Sequence, residues 1–357
     1  MLIEKPRIPI KQVLLFGLFP SFLKIWIYRL RGYRIGRGVS IGFLSVIVAR
    51  QVEVGDNTKI GFLTIIRGTQ VKLGSYVHIG SVVFLDTPYL EIGDGSKINE
   101  QVFVGGLQFP DSKLTLGRNC QIMQMSFINP ARSITVGDDT GIGGHCLLFG
   151  HTSWLSQFEG YPVDFQPIEI GSSVSLAWRV FVLPGTKIGD GAVVGANSVV
   201  SGTVPPRCLS LGFPARVVAK EPEFPRKLSD EDKVQILRNI MKAMMEYFSQ
   251  SGISCHDDGG ELTCRIQRPR RRCFTKKTWR IRILYRNTLE SDLPRPEDKI
   301  DILLSLGKIP EEQRTVLQSN GVMWIEICRK EQSRYSSPLG DEVSLFLKRY
   351  GIRTSRV

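Results

Sequence analysis

At 357 residues, with 42% apolar side chains and a mean hydropathy of −0.04, the chain is long enough for two domains and reads as soluble and globular. Seven cysteines without a C-x-x-C pair argue against a cysteine metal site and point to free thiols in a reducing compartment. The formal charge of +13 is uneven, since residues 1–37 carry eight basic and one acidic side chain, 38–216 carry 12 and 13, and 217–357 carry 27 and 20. The basic excess therefore sits in two flanks, where it can meet anionic lipid head groups or a phosphate-bearing substrate.

Residues 1–34 form the first segment. Its apolar run from Val13 to Leu23 is broken by Pro20, resumes as Ile25-Trp-Ile-Tyr28, and is followed by Arg29, Arg31, Arg34 and Arg37. That is short of the roughly 20 clean apolar residues of a spanning helix. An amphipathic membrane-surface anchor fits it, and so does a helix that only caps the following domain; a signal peptide lacks a small-residue cleavage site.

Across residues 35–220 one phrase returns: Val52-Glu-Val-Gly, Val71-Lys-Leu-Gly, Leu90-Glu-Ile-Gly, Leu114-Thr-Leu-Gly, Ile134-Thr-Val-Gly, Ile168-Glu-Ile-Gly and Thr186-Lys-Ile-Gly. The branched residue before each glycine falls at Val54, Leu73, Ile92, Leu116, Val136, Ile170 and Ile188, giving steps of 19, 19, 24, 20, 34 and 18 residues. The spacing predicts a β-solenoid of roughly 18-residue coils with insertions. One aliphatic residue per strand stacks inward on the next coil, and Gly, Asp or Asn turns the corners. Cys120 and Cys146 fall within coils as small buried side chains.

The closing coils, Ile188-Gly-Asp-Gly-Ala-Val-Val-Gly-Ala-Asn-Ser-Val-Val200, then Val204-Pro-Pro-Arg and Gly212-Phe-Pro-Ala-Arg216, resemble the hexapeptide-repeat acyltransferases. Within that family they are similar to the maltose and galactoside acetyltransferases and to enzymes that decorate bacterial surface polysaccharides. The resemblance implies a mainly β fold, a left-handed parallel β-helix, assembled as a homotrimer with acetyl-CoA in the cleft between subunits and no metal. It implies that Phe149-Gly-His-Thr152 carries the catalytic histidine, His151, just before an extruded loop of roughly 16 residues. A sugar hydroxyl is too weak an acid to attack a thioester unaided, and an imidazole can accept its proton. The resemblance further places the CoA donor against Ala177, Trp178, Ala192, Ala196, Arg216 and Lys220.

Two departures stand out. Val174-Ser-Leu-Ala177 precedes Trp178 where the family has its tryptophan earlier, and Met123 stands where small-sugar enzymes carry an acceptor-binding asparagine. Gln124 and Asn129 are the substitutes, though Asn129 before Pro130 is equally a corner residue. His145 is expected on a neighbouring face of the same coil, His78 on the surface of an early coil, and His256 outside the solenoid.

Residues 221–252 are a Pro-rich linker and a helix opened by Ser229, and in trimeric solenoids such a helix often packs on the shaft. Residues 253–357 read as a small basic α/β domain of unassigned role. It contains the run Arg265–Arg286, whose Trp279, Ile281 and Ile283 alternate with Arg280 and Arg282 as in a strand with one face buried. The run favours a lipid or polyanion surface over nucleic acid. Pro296–Leu304 and Pro310–Gln318 look helical, Val322–Ile327 looks like a buried strand, and Leu339–Tyr350 looks like a closing helix.

The reading is an acetyl-CoA-dependent O-acetyltransferase acting on a sugar hydroxyl of a cell-surface polysaccharide or lipid-linked precursor. It would work from the cytoplasm, peripheral to the inner face of a bacterial membrane. An N-acyltransferase on an amino sugar and a non-catalytic scaffold in a glycan-synthesis complex are the alternatives, because fold alone does not fix function.

Overall fold

The structure, a computed structural model, describes residues 9–258, 261–270, 273–285 and 300–357. It divides into two compact units, Met1–Arg226 and Lys227–Val357.

The first unit is a three-sided parallel β-helix. Its faces are sheets of nine, ten and eight strands, and in each the chain returns one coil later to pair in parallel with its own earlier strand. Face one stacks the recurring phrase in strict register, Val54 on Leu73, Leu73 on Ile92, Ile92 on Leu116, Leu116 on Val136, and Val136 on Ile170. All six are buried, with matching columns from faces two and three closing one aliphatic core along the coil axis. Each fully buried aliphatic side chain contributes about 1.5–3 kcal/mol.

Corners obey two rules. Between faces one and two, the residue at positive φ is Asn57, Tyr76, Gly95, Asn119, Asp139, Ser173 or Gly191, mostly the types that tolerate it. Between faces two and three it is Leu44, Leu63, Val82, Gln101, Met125, His145, Arg179 or Asn197, so bulky residues take the same backbone state. Behind the corners, buried hydroxyls and thiols stitch each coil to the next. Ser96 Oγ donates to the Gly117 carbonyl at 2.8 Å, Cys120 Sγ to Gly137 at 3.0 Å, and Cys146 Sγ to Ala177 at 3.1 Å. Burial pushes both thiols up to about 11, so they stay protonated donors at neutral pH.

Two short helices, α1 (Ile10–Phe16) and α2 (Ser21–Leu30), cover the start of the coil stack. At the other end Ala215–Lys220 folds back antiparallel on Cys208–Gly212.

The second unit is a mixed seven-stranded sheet with helices α3 (Asp230–Gln250), α4 (Glu311–Ser319) and α5 (Pro338–Leu347). A capping box starts α3, Ser229 Oγ accepting from Asp232 N and the Asp232 carboxylate from Ser229 N. This helix does not belong to the shaft. Leu237, Ile240, Met241, Met244 and Phe248 are buried with Trp279, Ile281, Ile302 and Val343 in the core of the second unit. The stretch expected to be helical before residue 304 instead contains a strand, Ile302–Ser305, buried along its whole length and paired in parallel with Ile281–Leu284. Of the basic run, Trp279, Ile281 and Ile283 are buried and Arg280 is exposed, as the alternation predicts. The side chains of residues 265–277, and residue 286, lie outside the described residues.

Candidate active site

Two of the solenoid's long steps are insertions, and both emerge at the corner between faces three and one. The 24-residue step extrudes residues 105–112, and the 34-residue step extrudes the loop after His151. Gly150 makes the exit possible. A Cβ there would lie 3.1 Å from the Asn129 carbonyl and 3.2 Å from the Arg132 amide, so only a bare backbone passes without displacing its neighbours. His151 and Thr152 then pair antiparallel with Phe165 and Asp164, which closes the loop into a hairpin.

His151 is half-buried in this exit. One ring nitrogen, Nε2, lies 2.8 Å from Asn129 Nδ2, and Nδ1 lies 3.2 Å from Ser153 Oγ. Its ring sits between Phe165, stacked at 6.1 Å, and Phe149 at 6.0 Å. Phe165 meets Phe109 of the other insertion edge-on at 5.1 Å, while the Arg132 guanidinium lies 4.2 Å over Phe109 and pairs with Asp111 at 3.1 Å. Burial lowers the imidazole pKa below its ordinary value, so the ring is neutral at pH 7 and one nitrogen keeps a lone pair. Which nitrogen that is follows from the assigned orientation of the Asn129 amide. Asn129 is 3% exposed, and its Oδ1 has no hydrogen-bond partner among the described residues.

Thus Asn129, one of two amides named from sequence, reaches His151. Gln124 does not. It stands at the corner between faces two and three, where its carbonyl accepts from His145 N at 3.1 Å, on the opposite edge of face three from His151. Phe109, Arg132 and Phe165, which wall the site, were not legible in the sequence. The 24-residue step announces an insertion, yet nothing in its composition says which corner it folds over.

The residues expected to face a CoA donor separate into three groups. Ala177, Trp178 and Ala196 follow one another up the corner between faces two and three, where Trp178 O accepts from Asn197 N at 3.0 Å. Trp178 is 45% exposed, and its ring covers Gly144, where any side chain would collide with it. Ala192 is different. Its methyl is wholly buried in the aliphatic core because it occupies the inward position behind a corner, so it offers no surface to a ligand. Arg216 and Lys220 are exposed on the terminal hairpin.

His145 is an exposed corner residue whose ring lies 5.8 Å from Trp178, and His78 sits on face two in register with Lys59 and Lys97. Among the described residues no cluster of His, Cys, Asp or Glu is arranged to hold a metal ion.

No protein-family model matches the chain. Over 114 residues it is 37% identical to WbbJ, a candidate lipopolysaccharide biosynthesis O-acetyl transferase of Escherichia coli K12, the match taking 29% of this chain and 58% of that protein. Over 132 residues it is 30% identical to the galactoside O-acetyltransferase of the same organism, taking 34% of this chain and 58% of the relative. The chain thus spans little more than half the length of each. A solved hexapeptide-repeat acetyltransferase of Vibrio cholerae complexed with acetyl coenzyme A is 18% identical, with a TM-score of 0.27, over 59% of this chain and 83% of that one. Repeat phrase, coil geometry and sequence matches agree that the β-helix of this chain is similar to those of the hexapeptide-repeat sugar acetyltransferases.

Proposed function

We propose that the protein is an acetyl-CoA-dependent O-acetyltransferase whose acceptor is a sugar hydroxyl of a cell-surface polysaccharide or its lipid-linked precursor. The observation that carries the reading is His151, a neutral, half-buried imidazole held by Asn129 where two insertions build an aromatic-walled recess. A structural histidine needs no such opening.

In the proposed reaction an acceptor hydroxyl hydrogen-bonds to the lone-pair nitrogen of His151. As the hydroxyl oxygen bonds to the thioester carbonyl carbon, its proton passes to the ring; as the carbon–sulfur bond breaks, that proton passes to the departing thiolate. The donor substrate would lie along Ala177, Trp178 and Ala196, its phosphates within reach of Arg216 and Lys220. His151 and this corner stand on opposite edges of face three. This placement fits the homotrimer that the resemblance implies, with the site between subunits.

The test is release of free CoA from acetyl-CoA with isolated surface polysaccharide or its lipid-linked precursor as acceptor. His151→Ala is expected to lower the rate at least about 10²-fold with donor binding retained. Equal rates in variant and wild type would remove His151 as the base, and with it this reading.

A further inference from the structure

Helix α2 is amphipathic in the wrong sense for a soluble protein. Ser21, Lys24 and Tyr28 turn toward the first coil, and the exposed Arg29 reaches over its rim. Lys24, 1% exposed, donates from Nζ to the carbonyls of Gly42 at 2.6 Å and Ser45 at 3.1 Å. Ser21 Oγ accepts from Ile41 N, Tyr28 Oη accepts from Ile47 N, and Arg29 donates to the Ile35 and Gly36 carbonyls. These groups satisfy the backbone of the first coil, whose strands have no preceding coil to pair with.

Among the described residues the opposite face is apolar and exposed. Phe22, Trp26 and Leu30, at spacings of four on one side of the helix, are 74%, 59% and 69% exposed. Helix α1 and the turn after it add Ile10, Leu14, Leu15 and Leu18, each more than half exposed. Over residues 9–37 there are six cations and no carboxylate. Lys11 and Arg31 line a groove with Leu15, Phe16 and Tyr33 beside this surface, and the Arg31 guanidinium lies 4.4 Å over the Phe16 ring. Neither helix alone is long and apolar enough to cross a bilayer; the two together have the length and composition of a span but are bent by 117° at the break between them.

We propose that this end of the β-helix docks on an anionic lipid bilayer, with Phe22, Trp26 and Leu30 inserted at the head-group boundary and Lys11 and Arg31 against lipid phosphates. A bilayer surface accommodates a broad, shallow apolar ridge ringed by positive charge. Capping the coil and binding the membrane are then duties of two opposite faces of one helix, and neither depends on the acyl-transfer reading.

The experiment is flotation of the full chain with phosphatidylcholine vesicles, with and without about one-third phosphatidylglycerol, a composition that supplies the anionic surface potential. Wild type is expected to float with the anionic vesicles and much less with the neutral ones. The triple variant Phe22→Ser/Trp26→Ser/Leu30→Ser is expected to lose at least tenfold in partition while its melting temperature and solution mass stay unchanged, since the three side chains are exposed. Lys11→Glu/Arg31→Glu should weaken flotation on anionic vesicles only. Wild type that does not float, a triple variant that floats as well, or equal flotation on both vesicle types would overturn the proposal. So would a triple variant whose solution mass falls, because the ridge would then be a contact between copies.

Discussion

Burial lowers the pKa of His151, which gives its pH behaviour a definite sign. Activity that needs the neutral ring should fall on the acid side with an apparent pKa below about 6.5, the ordinary imidazole value, in a kcat/KM profile. Because the folded state binds this proton less readily than the unfolded chain, the same group takes away stability as pH falls through about 6.5 toward the folded value. Asn129→Ala removes the partner at Nε2 and should lower kcat more than it raises KM, with donor affinity unchanged. A variant in which only KM moves would make Asn129 an acceptor contact and not a brace for the ring. Val82 supplies a different test. It is β-branched, 47% exposed and held at φ 59°, a state that costs an L-residue about 1–2 kcal/mol. Val82→Asn should therefore raise stability by up to about 1 kcal/mol, read from denaturant midpoints.

The coil is where the sequence was most legible and where its limits show. Face one could be read directly, because an inward aliphatic followed by glycine recurs at each coil and every copy of that aliphatic is buried. The corner between faces two and three hid itself, since Leu63, Val82 and Met125 at positive φ carry no compositional mark of a turn. Ala192 eludes the sequence for a related reason: a small residue in a closing coil fits either a ligand edge or a tight interior, and only its inward place behind the corner decides. In the second unit, acidic residues ahead of Ile302 imitate a helix start, yet burial on every side of Ile302–Ser305 makes it a central strand. The site divides likewise. His151 was visible through its phrase and the long step after it, whereas Phe109 and Arg132 reach it only through the path of a separate insertion. Lys24 shows how one side chain secures an element. Burial holds its ammonium pKa down to about 8, so at pH 7 it is still charged and donates to two carbonyls. Lys24→Met strands both, and a penalty of about 1–3 kcal/mol for each unpaired group should appear as a lower melting temperature of the first unit.

At the scale of the whole chain, the proposed chemistry shares the site between copies. With the homotrimer that the resemblance implies, light scattering is expected to give three times the 40.1 kDa chain mass. Mixing two dead variants gives a sharper reading. Subunits carrying His151→Ala and subunits carrying Ala196→Trp, which crowds the donor corner, should together recover part of the activity that neither has alone. Absence of recovery after verified subunit exchange would place both halves of the site within one chain.

A stack of parallel coils has no intrinsic length, because the last strand of each face offers the next coil the same hydrogen bonds the previous one offered it. What bounds the stack at its start is a helix, which cannot be continued as a sheet, and at its far end face two closes on a strand that runs antiparallel to the coils. Helix α2 spends its polar side chains on the first coil, and Ala215–Lys220 turns antiparallel across the last. Stripped of the helix, the first coil would bare strand edges that a second copy could continue. Growth of thioflavin-positive fibres from a chain lacking residues 1–33, and none from the intact chain, is the expected sign that the helix bounds the stack.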